Sequence, residues 1–139
     1  MLIIYTGNGK GKTTAALGMA LRTSGYGKKV CILQFVKQES WPEGARVAIR
    51  KNLSLSKLIK IKALGTGFVG IMGDTKPKKM HQKAAQNAIK ASLEAISSKK
   101  YDLVILDELL GALKGKLITK KDVQSILEAV SRLPSTDYS

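Results

Sequence analysis

Thr6-Gly7-Asn8-Gly9-Lys10-Gly11-Lys12-Thr13-Thr14 decides how this chain is read. The apolar run Leu2-Ile3-Ile4-Tyr5 precedes it, and Leu17, Ala20, Leu21 and Ser24 follow at helical spacing, so the order is strand, glycine-rich loop, helix. Glycines let successive backbone N–H groups converge on one point without Cβ interference, and the helix that follows directs its positive end there. Such a loop takes up the phosphate oxygens of a nucleotide. Lys12 adds a charge near the terminal phosphates, and the Thr13 hydroxyl is offered to Mg²⁺. Gly7, Asn8, Gly9, Lys10, Gly11, Lys12, Thr13 and Thr14 are therefore the expected phosphate cradle. The general pattern has glycine where Thr6 stands, which makes the loop a variant.

Working outward, Gly25 and Gly27 end the first helix, and residues 29–35 form a run rich in β-branched and apolar residues. Apolar on both faces, it reads as a buried parallel strand. Trp41-Pro42-Glu43-Gly44 is a turn, residues 45–52 a short helix, and residues 58–63 a strand with lysine alternating against isoleucine. Residues 65–77 carry four glycines and a proline, the composition of an irregular loop at a functional edge. Residues 80–98 are an amphipathic helix with Ala85, Ile89, Leu93 and Ile96 at helical spacing. A third buried strand over residues 101–106 ends directly in Asp107-Glu108. Thr119-Lys120-Lys121-Asp122 resembles a capping box opening a last helix that Pro134 stops. Strands alternating with helices point to an α/β fold with a mostly parallel sheet and helices on both faces.

The 139 residues, 44% of them hydrophobic, fit one nucleotide-binding domain over residues 1–139. The formal net charge of +14 is uneven: residues 1–100 hold 19 Lys and Arg against 4 acids, and the remaining 39 hold 5 against 6. That field attracts a polyphosphate, a nucleic acid or an anionic lipid alike. Aromatics at 5% leave little with which to stack bases, which weighs against nucleic acid. No stretch approaches membrane-spanning length, no basic leader precedes the first apolar run, and the lone Cys31 suits a reducing, cytoplasmic setting.

Asp107-Glu108 stands at the carboxyl end of a buried strand, where open α/β sheets bind ligands. Beside a phosphate loop, an acidic residue there holds Mg²⁺ directly or through water. His81 is the single histidine, so neither a histidine metal cluster nor a nucleophile–His–acid triad is available, and it reads as a helix-face residue. Cys31 reads as core. The sequence offers mainly charge stabilisation and positioning.

Three stretches together resemble the P-loop ATP:cob(I)alamin (corrinoid) adenosyltransferases: Tyr5 through the loop to Ala15-Ala16, Gly65-Thr66-Gly67-Phe68, and Asp102-Leu103-Val104-Ile105-Leu106-Asp107-Glu108-Leu109. Gln34-Phe35-Val36-Lys37 looks like that family's second strand, and the likeness runs over nearly the whole chain. It implies a P-loop NTPase-like, RecA-like fold, here lacking the C-terminal strand and helix with which family members usually continue. It further implies transfer of the 5′-deoxyadenosyl group of ATP to the Co(I) of a reduced corrinoid, with triphosphate leaving and Mg²⁺ as cofactor. Under that resemblance Lys12 and Glu108 act in catalysis, Thr13, Asp107 and Glu108 hold the metal, and Lys37, Gly67 and Phe68 join the cradle in binding. The family's Gly-x-Gly-Phe loop often continues Thr-Trp. Here Val69-Gly70 follows, leaving Phe68 as the aromatic of the corrinoid pocket. A homodimer and a flavoprotein-type reductant are the implied partners. The competing readings are another P-loop ATPase or kinase, and a nucleic-acid-binding module switched by ATP.

Overall fold

The computed structural model describes residues 1–134 as α1 (Lys12–Gly25), β1 (Val30–Gln34), α2 (Gly44–Lys51), α3 (Leu53–Leu58), β2 (Ile59–Ala63), α4 (Lys78–Ser97), β3 (Leu103–Asp107), α5 (Leu109–Lys114) and α6 (Lys120–Ser131). The three strands form one parallel sheet in the order β2-β1-β3. All five residues of β1 are buried, as a central strand covered on both faces requires. In β2 the alternation of isoleucine and lysine becomes an alternation of buried and exposed residues, because an edge strand shows one face to water.

Period-two geometry sends the side chains of β1 to opposite layers. Val30 and Ile32 meet Ala20 of α1, Ile49 of α2, and Ile59 and Ile61 of β2. Cys31 and Leu33 meet Ala95 of α4, and the larger cluster beside them joins Phe35 and Val36 to Ala85, Ala88 and Ile89 of α4 and to Ile126 of α6. Helices thus cover both faces of the sheet, with α4 and α6 on one and α1, α2 and α3 on the other. Burial pushes the Cys31 thiol above its ordinary pKa, as suits a core thiol.

Capping explains several boundaries. Gly27 sits at φ +72 and its N–H bonds to Ser24 O at 2.8 Å, closing α1. Asn52 accepts from the N–H groups of Ser54 and Leu55 and starts α3, a helix the periodicity does not announce. Thr119 and Asp122 form the expected capping box of α6. Within α1, Ala20 and Ser24 are buried as expected, but Leu21 is exposed.

One expected strand is not formed. Residues 1–11 are irregular, and Met1 to Tyr5 are all exposed, between 44% and 86%. A run apolar on both faces belongs between two neighbours. Among the described residues only the free edges of β2 and β3 are on offer, and at either the run would have a strand neighbour on one side alone. β3 is accordingly half-buried from Leu103 to Leu106. The segment beyond Pro134, where a closing strand and helix are expected, lies outside the described residues.

Candidate functional site

The carboxyl ends of the three parallel strands gather the chemistry. Gln34 closes β1 and is in register with Ala63 of β2 and Asp107 of β3. Phe35 N donates to Asp107 O at 2.9 Å, holding the two strand ends together. Asp107 is buried, and its carboxylate is the hub. Oδ1 accepts from the Thr13 hydroxyl at 2.8 Å, and Oδ2 accepts from Gln34 Nε2 at 3.2 Å and faces Lys37 Nζ at 3.4 Å. Thr13 and Asp107 are 94 residues apart in sequence, so only the packing of α1 against β3 brings them into contact.

The glycine loop enters α1 through Gly11, whose φ of +110 is open to glycine and strained for other residues; Gly7 is likewise at +125. Lys12 folds back over the loop, and its ammonium donates to the carbonyls of Gly7 at 2.7 Å and Gly9 at 2.6 Å. The ammonium and the loop thus stand at the start of α1, and a helix start is a place that favours an anion. Asn8, Lys10 and Thr14 are exposed around it.

Glu108 departs from its neighbour. It adopts the left-handed conformation at φ +62 as the residue before α5, and its carboxylate lies over Gly111. A Cβ at Gly111 would stand 2.5 Å from Glu108 Oε2, so the missing side chain makes room for that carboxylate. Among the described residues Glu108 makes no side-chain hydrogen bond or ion pair, and the structure does not join it to Thr13 or Asp107. Lys37 does join the hub, bridging Asp107 and Glu43, the latter at 3.7 Å.

A second centre flanks the first. Gly65 and Gly67 bring the loop after β2 against the end of β1: Gly65 N donates to Lys37 O at 2.9 Å, and Gly67 N to Val36 O at 3.0 Å. A side chain at Gly65 would strike the Val36 and Phe35 carbonyls, so only glycine permits this approach. The loop then places Phe68 against Trp41, ring centroids 5.6 Å apart at 34°. Together with Gln38, Thr66 and Ile71 the two rings line a cavity of about 190 Å³. Val69, Ile71 and Met72 are exposed near its mouth.

Arg46, which the sequence does not single out, and His81, which reads from it only as a helix-face residue, hold this centre. Arg46 of α2 is buried, and its guanidinium donates to the carbonyls of Gln38 at 3.3 Å, Glu39 at 3.2 Å and Trp41, and to Gln34 Oε1 at 3.3 Å. It fastens the segment that carries Lys37 and Trp41. His81 of α4 is also buried, on the inward side of its helix, and contacts Thr66 and Asp74. The one signal available for His81 was its residue type, the single histidine of the chain, and Arg46 has no such signal beside Arg50 in the same helix.

Among the described residues no group of three or more His, Cys, Asp or Glu side chains could hold a metal, and no helix is long and apolar enough to cross a membrane. A hydroxyl and a carboxylate at one point are hard oxygen donors, and they fit a Mg²⁺ that takes its remaining ligands from water and phosphate.

Residues 1–136 match the family described as ATP:corrinoid adenosyltransferase BtuR/CobO/CobP. A corrinoid adenosyltransferase of Escherichia coli (strain K12) is 38% identical over 109 residues, covering 78% of this chain and 51% of that protein. The corrinoid adenosyltransferase CobA of Salmonella typhimurium is 33% identical over 129 residues, 93% of this chain and 61% of that protein. One from Pseudomonas aeruginosa is 32% identical over 114 residues, 82% of this chain and 53% of that protein. The chain therefore spans little more than half the length of these relatives.

Proposed function

The chain belongs to the ATP:corrinoid adenosyltransferase family, and from that membership we propose that it transfers the 5′-deoxyadenosyl group of ATP to the Co(I) centre of a reduced corrinoid, releasing triphosphate. The observation that carries this reading is the 2.8 Å contact of Thr13 with Asp107, which brings the start of α1 to the end of β3 and supports a polyphosphate site where they meet.

In this reaction the cobalt electron pair attacks C5′ of ATP, the C5′–O bond breaks, and its electrons leave on the triphosphate. The nucleophile belongs to the substrate, so the protein needs no Ser, Cys or His to form a covalent intermediate. Its work is to hold C5′ in line and to stabilise charge on the departing group. The N–H groups from Gly7 to Thr13 and the ammonium of Lys12 serve the second task. Lys12 exchanges the carbonyls of Gly7 and Gly9 for phosphate oxygens when ATP enters. Thr13 and Asp107 would hold Mg²⁺, which supplies further charge neutralisation on the triphosphate. Glu108, whose carboxylate now lies by Gly111, would serve as the further acidic ligand. Lys37, already at Asp107, is in position to follow the nucleotide.

The acceptor edge lies at the Trp41–Phe68 cavity. At about 190 Å³ it is far too small to enclose a corrinoid, so it receives one edge of the ring while Val69, Ile71 and Met72 supply exposed apolar surface. A homodimer, a flavoprotein-type reductant and a cytoplasmic setting complete the proposal; the lone buried Cys31 is consistent with a reducing compartment. The test is anaerobic: with ATP, Mg²⁺ and cob(I)alamin, the Co(I) absorbance disappears and adenosylcobalamin forms. An unchanged Co(I) spectrum in the presence of bound ATP contradicts the assignment.

A further inference from the structure

We propose that His81 is a positioning residue for the acceptor side of the reaction, clamping the glycine loop so that Phe68 and Trp41 keep their places. The proposal rests on the reading of the Trp41–Phe68 cavity as the corrinoid edge, but its geometry stands without it.

His81 projects from the first turn of α4, and its side chain is 1% exposed. Both ring nitrogens are engaged. Nε2 lies 2.8 Å from Asp74 Oδ2, and Nδ1 lies 2.8 Å from Thr66 Oγ1. A carboxylate only accepts, so Nε2–H donates to Asp74; in the neutral ring Nδ1 then accepts the Thr66 hydroxyl proton. One imidazole therefore ties together two points of a single loop, eight residues apart, and fixes both to the helix.

Each tied point controls part of the cavity. Asp74 collects the loop's far half: it accepts from Gly70 N at 3.0 Å and Lys76 N at 3.2 Å, and pairs with Lys76 Nζ at 3.7 Å. The Gly70 N–H above all holds the Asp74 carboxyl down to about 2, so it stays a charged acceptor through the ordinary range. Thr66 controls the near half. With the Gln38 amide turned so that its oxygen faces the Trp41 indole N–H, the orientation that satisfies both of its ends, its nitrogen donates to the Thr66 carbonyl at 3.1 Å and its oxygen accepts from the indole. Gly67 follows directly at φ +102, pressed close to the indole: a Cβ there would meet the Trp41 ring at 3.2 Å. The connection from His81 to both aromatic rings is thus continuous, through Thr66 and Gln38 to Trp41 and through Gly67 to Phe68. By contrast, no hydrogen bond or ion pair links His81 to Lys12, Thr13 or Asp107, and the tie of the loop to Lys37 is the backbone bond from Gly65 N, which neither a His81 nor a Thr66 side-chain change removes, so the triphosphate side should be affected less.

Trp41 is the single tryptophan, which makes the clamp observable without any corrinoid. In the full chain, His81→Gln and the milder Thr66→Val would be compared with wild type by acrylamide quenching of Trp41 fluorescence. Steady-state kinetics would then be run with ATP and cob(I)alamin. Both variants are expected to expose Trp41 to quencher, and to raise KM for cob(I)alamin by at least about fivefold while KM for ATP moves by less than about twofold. Combining them should add little, since both cut the same tie. Unchanged quenching in both variants, or equal changes in the two KM values, overturns the proposal. A wild type that makes no adenosylcobalamin, with Trp41 still loosened by both substitutions, removes the corrinoid reading and leaves the clamp standing.

Discussion

Lys12, Thr13 and Asp107 were legible as candidates at the level of single residues, because phosphate and metal chemistry calls for such side chains at a glycine loop before a helix and at a strand end; the structure shows that Thr13 and Asp107 meet. With Lys12→Ala the departing triphosphate loses a directed cation, and turnover should fall about 10²- to 10³-fold, measured as the rate of adenosylcobalamin formation. A variant as fast as wild type would remove the loop from the mechanism. Glu108 was named as a ligand by resemblance, and what the sequence could not show is its backbone. A non-glycine residue at φ +62 is strained by about 1 kcal/mol or more. Glu108→Gly should therefore raise thermal stability, by up to about 1 kcal/mol after the added freedom of the unfolded chain is set against it, while reducing Mg²⁺-dependent turnover. Equal activity with higher stability would show that the strain serves no chemistry. Arg46 and His81 were not legible, because their value lies in carbonyls and side chains that only the folded loops bring within reach.

Elements with a strong period came through: β1, α4 and α6 follow from apolar patterning, and the irregular loop over residues 65–77 follows from its glycines. α3 and α5 did not, since six-residue helices start from caps and backbone turns and not from a repeating face. The run Leu2-Ile3-Ile4-Tyr5 has the composition of a buried strand yet stays exposed, because pairing depends on a neighbour that composition cannot reveal. Gly65 gives the sharpest test at this scale. Gly65→Ala drives a methyl group into the carbonyls that end β1, and should cost about 1–3 kcal/mol in chemical denaturation while loosening the cavity wall. A neutral substitution would mean that the loop does not need its close approach to β1.

Taken whole, the described residues form a sheet flanked by helices whose carboxyl edge carries two adjoining centres, one that we propose takes a polyphosphate and one lined by aromatic rings. The sequence made the order of strands and helices readable, but not the distance between the centres, which depends on how two loops meet over the end of β1. The net charge of +14 acts on both through its long-range field. KM for ATP should therefore rise several-fold, about threefold or more, between low and physiological salt, whereas kcat holds nearly constant. A salt-independent KM would confine the attraction to the loop itself.

The most direct test is to identify the bond that is cut. Phosphorus NMR of ATP consumed in the presence of Mg²⁺ and cob(I)alamin is expected to show intact triphosphate, one for each adenosylcobalamin formed. Appearance of ADP and free phosphate instead would place the attack on phosphorus and contradict adenosyl transfer.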